Sequence, residues 1–452
     1  LAAKLQAEQP AVKQQYRRYK SDIEVQNKFF KDAYQHQVVK GSDGQNYSGD
    51  SNLYKVFIEK AFTLLKPGGS CGFVVPSGLN TDQGCTGLRQ LLFTEATIEE
   101  LIMFENRRGI FAAVHRQYKF DAIIYKKVPC KKPSFSSGFY WLDPRWLSGQ
   151  PENISTGELH EETAIHERFN YPLHLSKTIS PAMQALIEVR SAKDIPIVEQ
   201  ISKQPLLGDK TQEWCASTYN EFHMTSDSDL FNTERMGYPL LEGKTVHQFD
   251  ASFANPTRFV SSSEGESRLS ARWKCSPESL PGRGFRIAYR SIASATNERT
   301  LIATVLPPHV FTGNSLNVIK LAGKKESFEL LAGITTILNS FVLDYIIRQR
   351  VSTNINSFYV KELPFVRNVE AIENLGRHAL PLFAGRDFES FRAGEAELSD
   401  TTERLRLRAS LDAQVAKLYS LTYEQFQHLL QRFPLVDNVI SEECLTAFRN
   451  TR

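Results

Sequence analysis

Asn52-Leu53-Tyr54-Lys55-Val56-Phe57-Ile58-Glu59-Lys60-Ala61, then Leu64-Leu65-Lys66-Pro67-Gly68-Gly69, then Cys71-Gly72-Phe73-Val74-Val75-Pro76: the fold is decided in this one stretch. Ser51 or Asn52 is a residue type that caps a helix. Leu53, Val56, Phe57, Ala61, Leu64 and Leu65 recur at helical spacing, so one face is apolar. Lys66-Pro67-Gly68-Gly69 ends the helix, because Gly takes up the left-handed turn and Pro cannot continue the ladder. Cys71 to Pro76 is short and apolar on both faces, which reads as a buried parallel strand.

Working outward, Leu88-Arg89-Gln90-Leu91-Leu92 predicts a helix, and Ile98 to Phe104 and Phe120 to Tyr125 predict two further strands. Alternation of this kind points to a doubly wound α/β sheet. Residues 1–40 read as helices with a mixed charged face, and Gly41 to Asp50 as a loop. A Lys-rich run (Lys126, Lys127, Lys131, Lys132) precedes Phe139-Tyr140-Trp141, and we expect a domain boundary there. The expected layout is a sheet domain over residues 1–130, a transition over 131–174, an α+β domain over 175–370 and a helical segment over 371–452. Thr401 to Leu421 is the clearest of those helices.

The chain has 452 residues, long enough for two or three domains. Its 54 Lys and Arg against 51 Asp and Glu leave a net charge of +3, which excludes a histone-like, wholly electrostatic binder. A local basic cleft remains compatible with that balance. No apolar run approaches the roughly 18 residues of a membrane span. Six scattered cysteines without a CxxC pair suggest neither a zinc site nor a disulfide framework, and reduced thiols fit a cytoplasmic setting. The histidines His115, His223 and His247 lack metal-ligand spacing.

The opening stretch resembles the second half of the catalytic domain in adenine-specific (N6) DNA methyltransferases of the large restriction–modification and phage-defence type. Phe104-Glu105-Asn106-Arg107, Ile110-Phe111 and Lys119-Phe120 continue the resemblance. So do Phe222-His223-Met224-Thr225-Ser226-Asp227-Ser228, Tyr238-Pro239-Leu240-Leu241-Glu242-Gly243-Lys244 and His247-Gln248-Phe249-Asp250. Arg290-Ser291-Ile292-Ala293, Asn297 to Ala303, Asn339 to Tyr345 and Val351 to Asn356 are similar to the target-recognition domain of those proteins, and Phe433-Pro434-Leu435-Val436 to their tail. The family's Asn/Asp-Pro-Pro-aromatic tetrad is absent. The only Pro-Pro, Pro307-Pro308, follows Leu306 far downstream, and the only GxG, Gly282-Arg283-Gly284, lacks a strand–helix setting. The expectation is therefore a C-terminal fragment: a partial Rossmann-like methyltransferase sheet, an α+β target-recognition domain and a helical tail.

The resemblance implies S-adenosyl-L-methionine as cofactor and double-stranded DNA as partner, with a restriction nuclease domain or defence-system subunits alongside and no membrane. It implies that Phe111 stacks on a flipped adenine and that Phe57 lies against the cofactor's adenine ring. Core packing is the competing role for both. Lys119 is a candidate phosphate contact, and Pro76 sits where ligands meet the carboxyl ends of strands, unless it merely makes a turn. Lys244, Arg290, Asn297, Arg299, Asn314, Arg348, Arg350, Asn354 and Asn356 are candidate DNA contacts, since Arg and Lys suit phosphate or guanine and Asn suits adenine. Each has a structural alternative: Asn makes turns, and Arg makes surface pairs or caps a helix dipole. The expected function is site-specific adenine methylation of DNA; the alternative is a recognition module serving a separate catalytic chain.

Overall fold

The structure, a computed structural model, describes residues 10–42, 44–49, 52–148, 167–294, 297–323, 326–351, 353–392, 397–398 and 401–451. The first nine residues of the expected N-terminal helices, Ser51 and part of the expected transition lie outside these. The chain divides into two units, Leu1–Asp194 and Ile195–Arg452. The architecture is mixed α/β.

In the first unit, α1 (Pro10–Ala33) and a small hairpin of β1 (Val38–Lys40) and β2 (Asn46–Ser48) precede α2 (Leu53–Leu64). Asn52 caps α2, its side chain accepting from Tyr54 N, and Gly68 turns the chain with φ +80°. Next come β3 (Ser70–Pro76), α3 (Thr86–Thr94), β4 (Thr97–Glu105), β5 (Lys119–Lys126), β6 (Ser134–Trp141) and β7 (Phe169–Pro172). These five strands form one sheet in the order β3-β5-β4-β6-β7.

Two expectations need correction here. First, β3 is not a buried parallel strand. It runs antiparallel to β5 from Ser70↔Lys126 to Pro76↔Phe120 and ends the sheet. An edge strand keeps one row of peptide groups and part of each face open, and Val74 is accordingly 59% exposed. Among the described residues, the only parallel pairing in this sheet is β4 with β6. The helix facing this strand departs as well: α2 buries Lys55, Val56, Ile58, Glu59 and Phe62, while Leu53, Phe57 and Leu64 face out. Burial of Glu59 is possible because His36 N and Gln37 Nε2 donate to its carboxylate.

Second, the described residues of 131–174 are not a transition between domains. They supply β6 and β7, whose Phe135, Phe139, Trp141 and Tyr171 are buried in the sheet's own core. The division falls at Asp194, and the helices after residue 370 belong to the second unit with everything from Ile195 on.

The second unit holds two four-stranded sheets. One contains β9 (Phe231–Asn232), β10 (Tyr238–Leu241), β11 (Phe259–Val260) and β14 (Phe311–Thr312). The other contains β8 (Cys215–Tyr219), β12 (Arg286–Arg290), β13 (Ala303–Leu306) and β15 (Leu316–Ala322), all antiparallel. Helices α4 (Phe328–Leu338) and α5 (Phe341–Arg348) follow, bent by 53° at Asn339–Ser340. The Asn339 amide fixes that corner: its Oδ1 accepts from Ala303 N and its Nδ2 donates to Ala303 O, both at 2.9 Å. Helix α6 (Val369–Ala379) crosses α4 at backbone contact. A Cβ on Gly333 would lie 1.9 Å from Ile372 O, and one on Gly376 1.9 Å from Glu329 O. No single helix among the described residues is long and apolar enough to cross a membrane.

Because neither helix can retreat without opening the core, Gly333→Ala should destabilise the second unit by at least about 2 kcal/mol, as overpacking does. Urea denaturation of the variant beside the parent checks this, and an unchanged midpoint would show the helices free to separate.

Candidate functional site

The strand ends of the first unit gather the first set of candidates. Pro76 closes β3 opposite Phe120, and Glu105 closes β4 opposite Lys119. Ser77 N donates to Lys119 O at 3.1 Å, joining the turn after β3 to the start of β5. From Glu105 the chain leaves through a single 3-10 turn, Asn106–Arg108, and returns at Lys119. Asn106, fully buried, organises this loop. Its Nδ2 donates to Phe111 O at 3.0 Å and Val114 O at 2.8 Å, and its Oδ1 accepts from Phe111 N at 2.8 Å. Gly109 takes φ +69° to complete the turn.

The loop so held is aromatic and basic. Phe111 is 42% exposed and meets Phe120 edge-on at 4.9 Å; Phe120 stacks on Phe104 at 5.3 Å. Tyr118 is exposed, Arg107 pairs with Glu105 at 3.0 Å, Arg108 lies over Trp146, and Arg116 donates to Arg107 O. Phe111 is thus braced from behind with an open face, which is not the environment of a core ring. Phe57 and Pro76 are exposed as well.

Lys119 does not stand free for a phosphate. It is ion-paired with Glu188 and lies over the Tyr140 ring. The same carboxylate accepts from Tyr140 Oη at 3.2 Å. Beside them Asn80 Nδ2 donates to Asp121 Oδ1 at 3.0 Å. Asp121, Asn80 and Glu188 are each at most 1% exposed. Burial, with the nearby Glu188 charge adding to it, holds the Asp121 carboxyl well above the usual carboxylate range. Sequence reasoning passed over this cluster, although a charged residue inside Phe120-Asp121-Ala122-Ile123 was a visible signal.

In the second unit the candidates separate into two groups. Arg299, Arg348 and Arg350 are buried and already committed, which corrects the expectation that they contact DNA. Arg299 Nε and Arg348 Nε approach Asp344 at 2.8 and 3.4 Å, and both guanidinium groups lie over the Phe433 ring. Arg348 also donates to the carbonyls of Asn297 and Glu298. Arg350 pairs with Glu362 and lies over Tyr359. Cations in a core persist only when paired, so these are structural. Arg290 is intermediate: its Nε donates to Val246 O at 3.0 Å, and burial lowers its pKa.

The other group converges. Lys244 stands exposed on the turn Gly243–Thr245 and pairs with Glu242 at 3.3 Å. Gly243 N donates to Ser315 Oγ, Ser291 N to Ser315 O, and Ser291 Oγ to Asn314 O, all at 3.0 Å. Ala293 N donates to Thr353 O at 3.1 Å. Four turns carrying Lys244, Ile292, Asn314 and Asn354 are therefore hydrogen-bonded into one surface. Asn314 is half-buried, with its Oδ1 accepting from Met224 N; Asn354 and Asn356 are exposed, the latter just before the short helix Ser357–Lys361 without a side-chain bond to it. Asn297 is exposed, and among the candidates it alone is tied to the buried arginines through its carbonyl. Ile292 was not among the sequence candidates.

Residues 16–111 match the Eco57I restriction-modification methylase family. No curated protein matches the sequence. Among solved structures, the chain is similar to the Type IIL restriction-modification enzyme MmeI in complex with DNA, with a TM-score of 0.47 and 12% identity over 85% of this chain and 52% of that one. It is also similar to the type IIG restriction endonuclease BpuSI (TM-score 0.30, 11% identity, 82% of this chain and 49% of that one). A DrdV–DNA complex gives a TM-score of 0.32 and 12% identity over 88% and 52%. The chain spans about half the length of these structures.

Two outcomes follow from the site chemistry. Asp121 releases its proton more readily unfolded than folded, so it costs stability increasingly as pH rises above about 4. Asp121→Asn, which keeps the acceptor for Asn80 without the charge, should match or exceed the parent's stability at pH 8, with the advantage shrinking towards pH 4; Asp121→Ala should be weaker throughout. Thermal melts across that range decide it. Separately, Arg299→Met should cost about 3 kcal/mol, whereas Lys244→Ala should stay within about 0.5 kcal/mol of the parent.

Proposed function

We propose that the chain belongs to a site-specific DNA methyltransferase acting on adenine N6, and that it supplies the base-holding edge of the catalytic sheet together with the DNA-recognition unit. The observation that carries this reading is the methylase-family match over residues 16–111, which ends on the loop that presents Phe111. A base in a duplex is out of reach of a methyl donor, so it must be swung out and held against a flat side chain. Phe111, braced by Phe120 and fixed by Asn106, offers that side chain. The basic residues Arg107, Arg108 and Arg116 on the same loop suit the phosphates flanking a flipped nucleotide.

S-adenosylmethionine is the methyl donor such a reaction calls for, and this chain's residues fit only part of it. Leu53, Phe57 and Leu64 on α2 present an exposed apolar face that suits an adenine ring. The methionine end carries an ammonium and a carboxylate, which need N–H groups or opposite charge, and that face offers neither. The sequence also lacks the tetrad that would polarise the target amine. A second reading makes the chain a recognition module serving a catalytic polypeptide that bears the tetrad, and the joined turns carrying Lys244, Asn314 and Asn354 favour it. In either case the roles left to this chain are to hold the base and to grip the duplex.

The chain alone should bind a 30-base-pair duplex with an affinity falling steeply with salt, and should transfer no labelled methyl group from S-adenosylmethionine to it. Transfer by this chain would overturn the division of roles. Phe111→Ala should weaken binding to a duplex carrying a mismatched adenine by roughly tenfold, the scale of one lost base stack. Its melting temperature should stay near the parent's; a large drop would make Phe111 a packing residue.

A further inference from the structure

In the second unit the chain leaving β12 meets the chain that follows α5. Ile292 and Asn354 form an isolated antiparallel bridge. Ile355 N donates to Ser291 O at 2.7 Å, Ala293 N to Thr353 O at 3.1 Å, and Ser291 N to Ser315 O at 3.0 Å. The backbone on both sides of Ile292 is therefore fixed. Residues directly opposite in such a bridge project to the same face, with Cβ atoms about 4.5–5.5 Å apart. Their neighbours Ala293 and Ile355 turn inward and are buried, while Ile292 is 67% exposed and Asn354 is exposed beside it. Asn354 Nδ2 contacts Thr353 Oγ1 at 3.3 Å. The Ile292 side chain, mostly exposed, adds little to the core, yet a hydrogen-bonded rung aims it outward. Lys244, on the turn bonded to the same Ser315, places a cation on that surface.

We propose that Ile292 and Asn354 form a base-reading pair that recognises an A·T base pair from the major groove. The proposal rests on the DNA-binding role given above and names the residues that set its specificity. The major groove is wide enough for a two-stranded ribbon, and only there does an A·T pair show its full pattern. An Asn amide matches adenine N6 and N7 with one donor and one acceptor, and an aliphatic side chain packs on the C5-methyl of thymine. An amide and a branched alkyl group side by side on one rung carry both halves of that pattern. Lys244 serves the phosphates, which position the ribbon without reading sequence.

The test is binding of the whole chain to a pool of random duplexes, with sequencing of the bound fraction. The best duplex is then remade with each thymidine replaced in turn by deoxyuridine, which removes only the methyl. One position should lose about fourfold in affinity, the worth of one methyl taken out of water. That loss should vanish in Ile292→Ala. Asn354→Ala should relax the choice of base at the same pair by roughly tenfold or more. Lys244→Ala should weaken all sequences alike. Both Ile292 and Asn354 are exposed, so unchanged melting temperatures will confirm that these variants fold. The proposal fails if deoxyuridine is tolerated at every position, or if Ile292→Ala keeps the full thymine preference. If the parent chain binds no duplex at all, the DNA-binding reading itself falls, a result distinct from either of these.

Discussion

A single carboxylate, Asp344, holds the second unit's loops to its helices. Arg299 and Arg348 approach it from two sides, and Thr300 N donates to it as well. Isolated in a core, any one of these charges would be prohibitive to bury; together, and with the Phe341 and Phe433 rings beside the guanidinium groups, they are satisfied. The consequence is positional. Arg348 also grips the carbonyls of Asn297 and Glu298, so the segment between β12 and β13 is pinned at its far end. Its near end, at Ser291 to Ala293, is pinned by Ser315 and Thr353. Fastened backbone at Ser291 to Ala293 presents Ile292 in one arrangement, which recognition of a rigid partner requires.

The first unit solves the same problem with an amide. Asn106 spends both of its side-chain polar atoms on the loop that carries Phe111, and the loop starts and ends on adjacent strands. The polar cluster of Asn80, Asp121, Glu188, Lys119 and Tyr140 lies at the same strand ends. A neutral carboxyl there avoids placing two negative charges together in the core, consistent with the raised Asp121 pKa. Rigidity in both units comes from buried polar groups with specific partners, with the apolar packing beneath them less selective about shape.

How much of this was readable in advance differs by level. The strands at 70–76, 97–105 and 119–126 and the helix at 53–64 follow from period and punctuation, because local pattern and local conformation are directly linked. Strand direction and neighbours were not readable. Gly-Phe-Val-Val is apolar whether the strand is central or terminal, and only the pairing of β3 with β5 settles which. Nor was the membership of β6, since the Lys-rich run before it resembles the end of a domain while Phe135 and Phe139 belong to the existing core. Charged candidates failed for a similar reason. Arg299 and Lys244 look alike in sequence; the first is buried against Asp344, 45 residues along the chain, and the second stands on a turn beside Glu242. Ile292 was missed because an isoleucine next to a strand is ordinarily taken for core.

The open margin of the first sheet has a practical side. About every second residue of β3 turns its peptide groups to that border, where the described sheet supplies no neighbour, and Val74 stands exposed on one face of the strand. Two such borders brought together at high concentration can zip into a continuous ribbon, and no charge on Cys71 to Pro76 opposes it. Handling therefore calls for dilute solutions and a mild detergent, and a single lysine at position 74 would act as a guard against clumping at little cost to the fold.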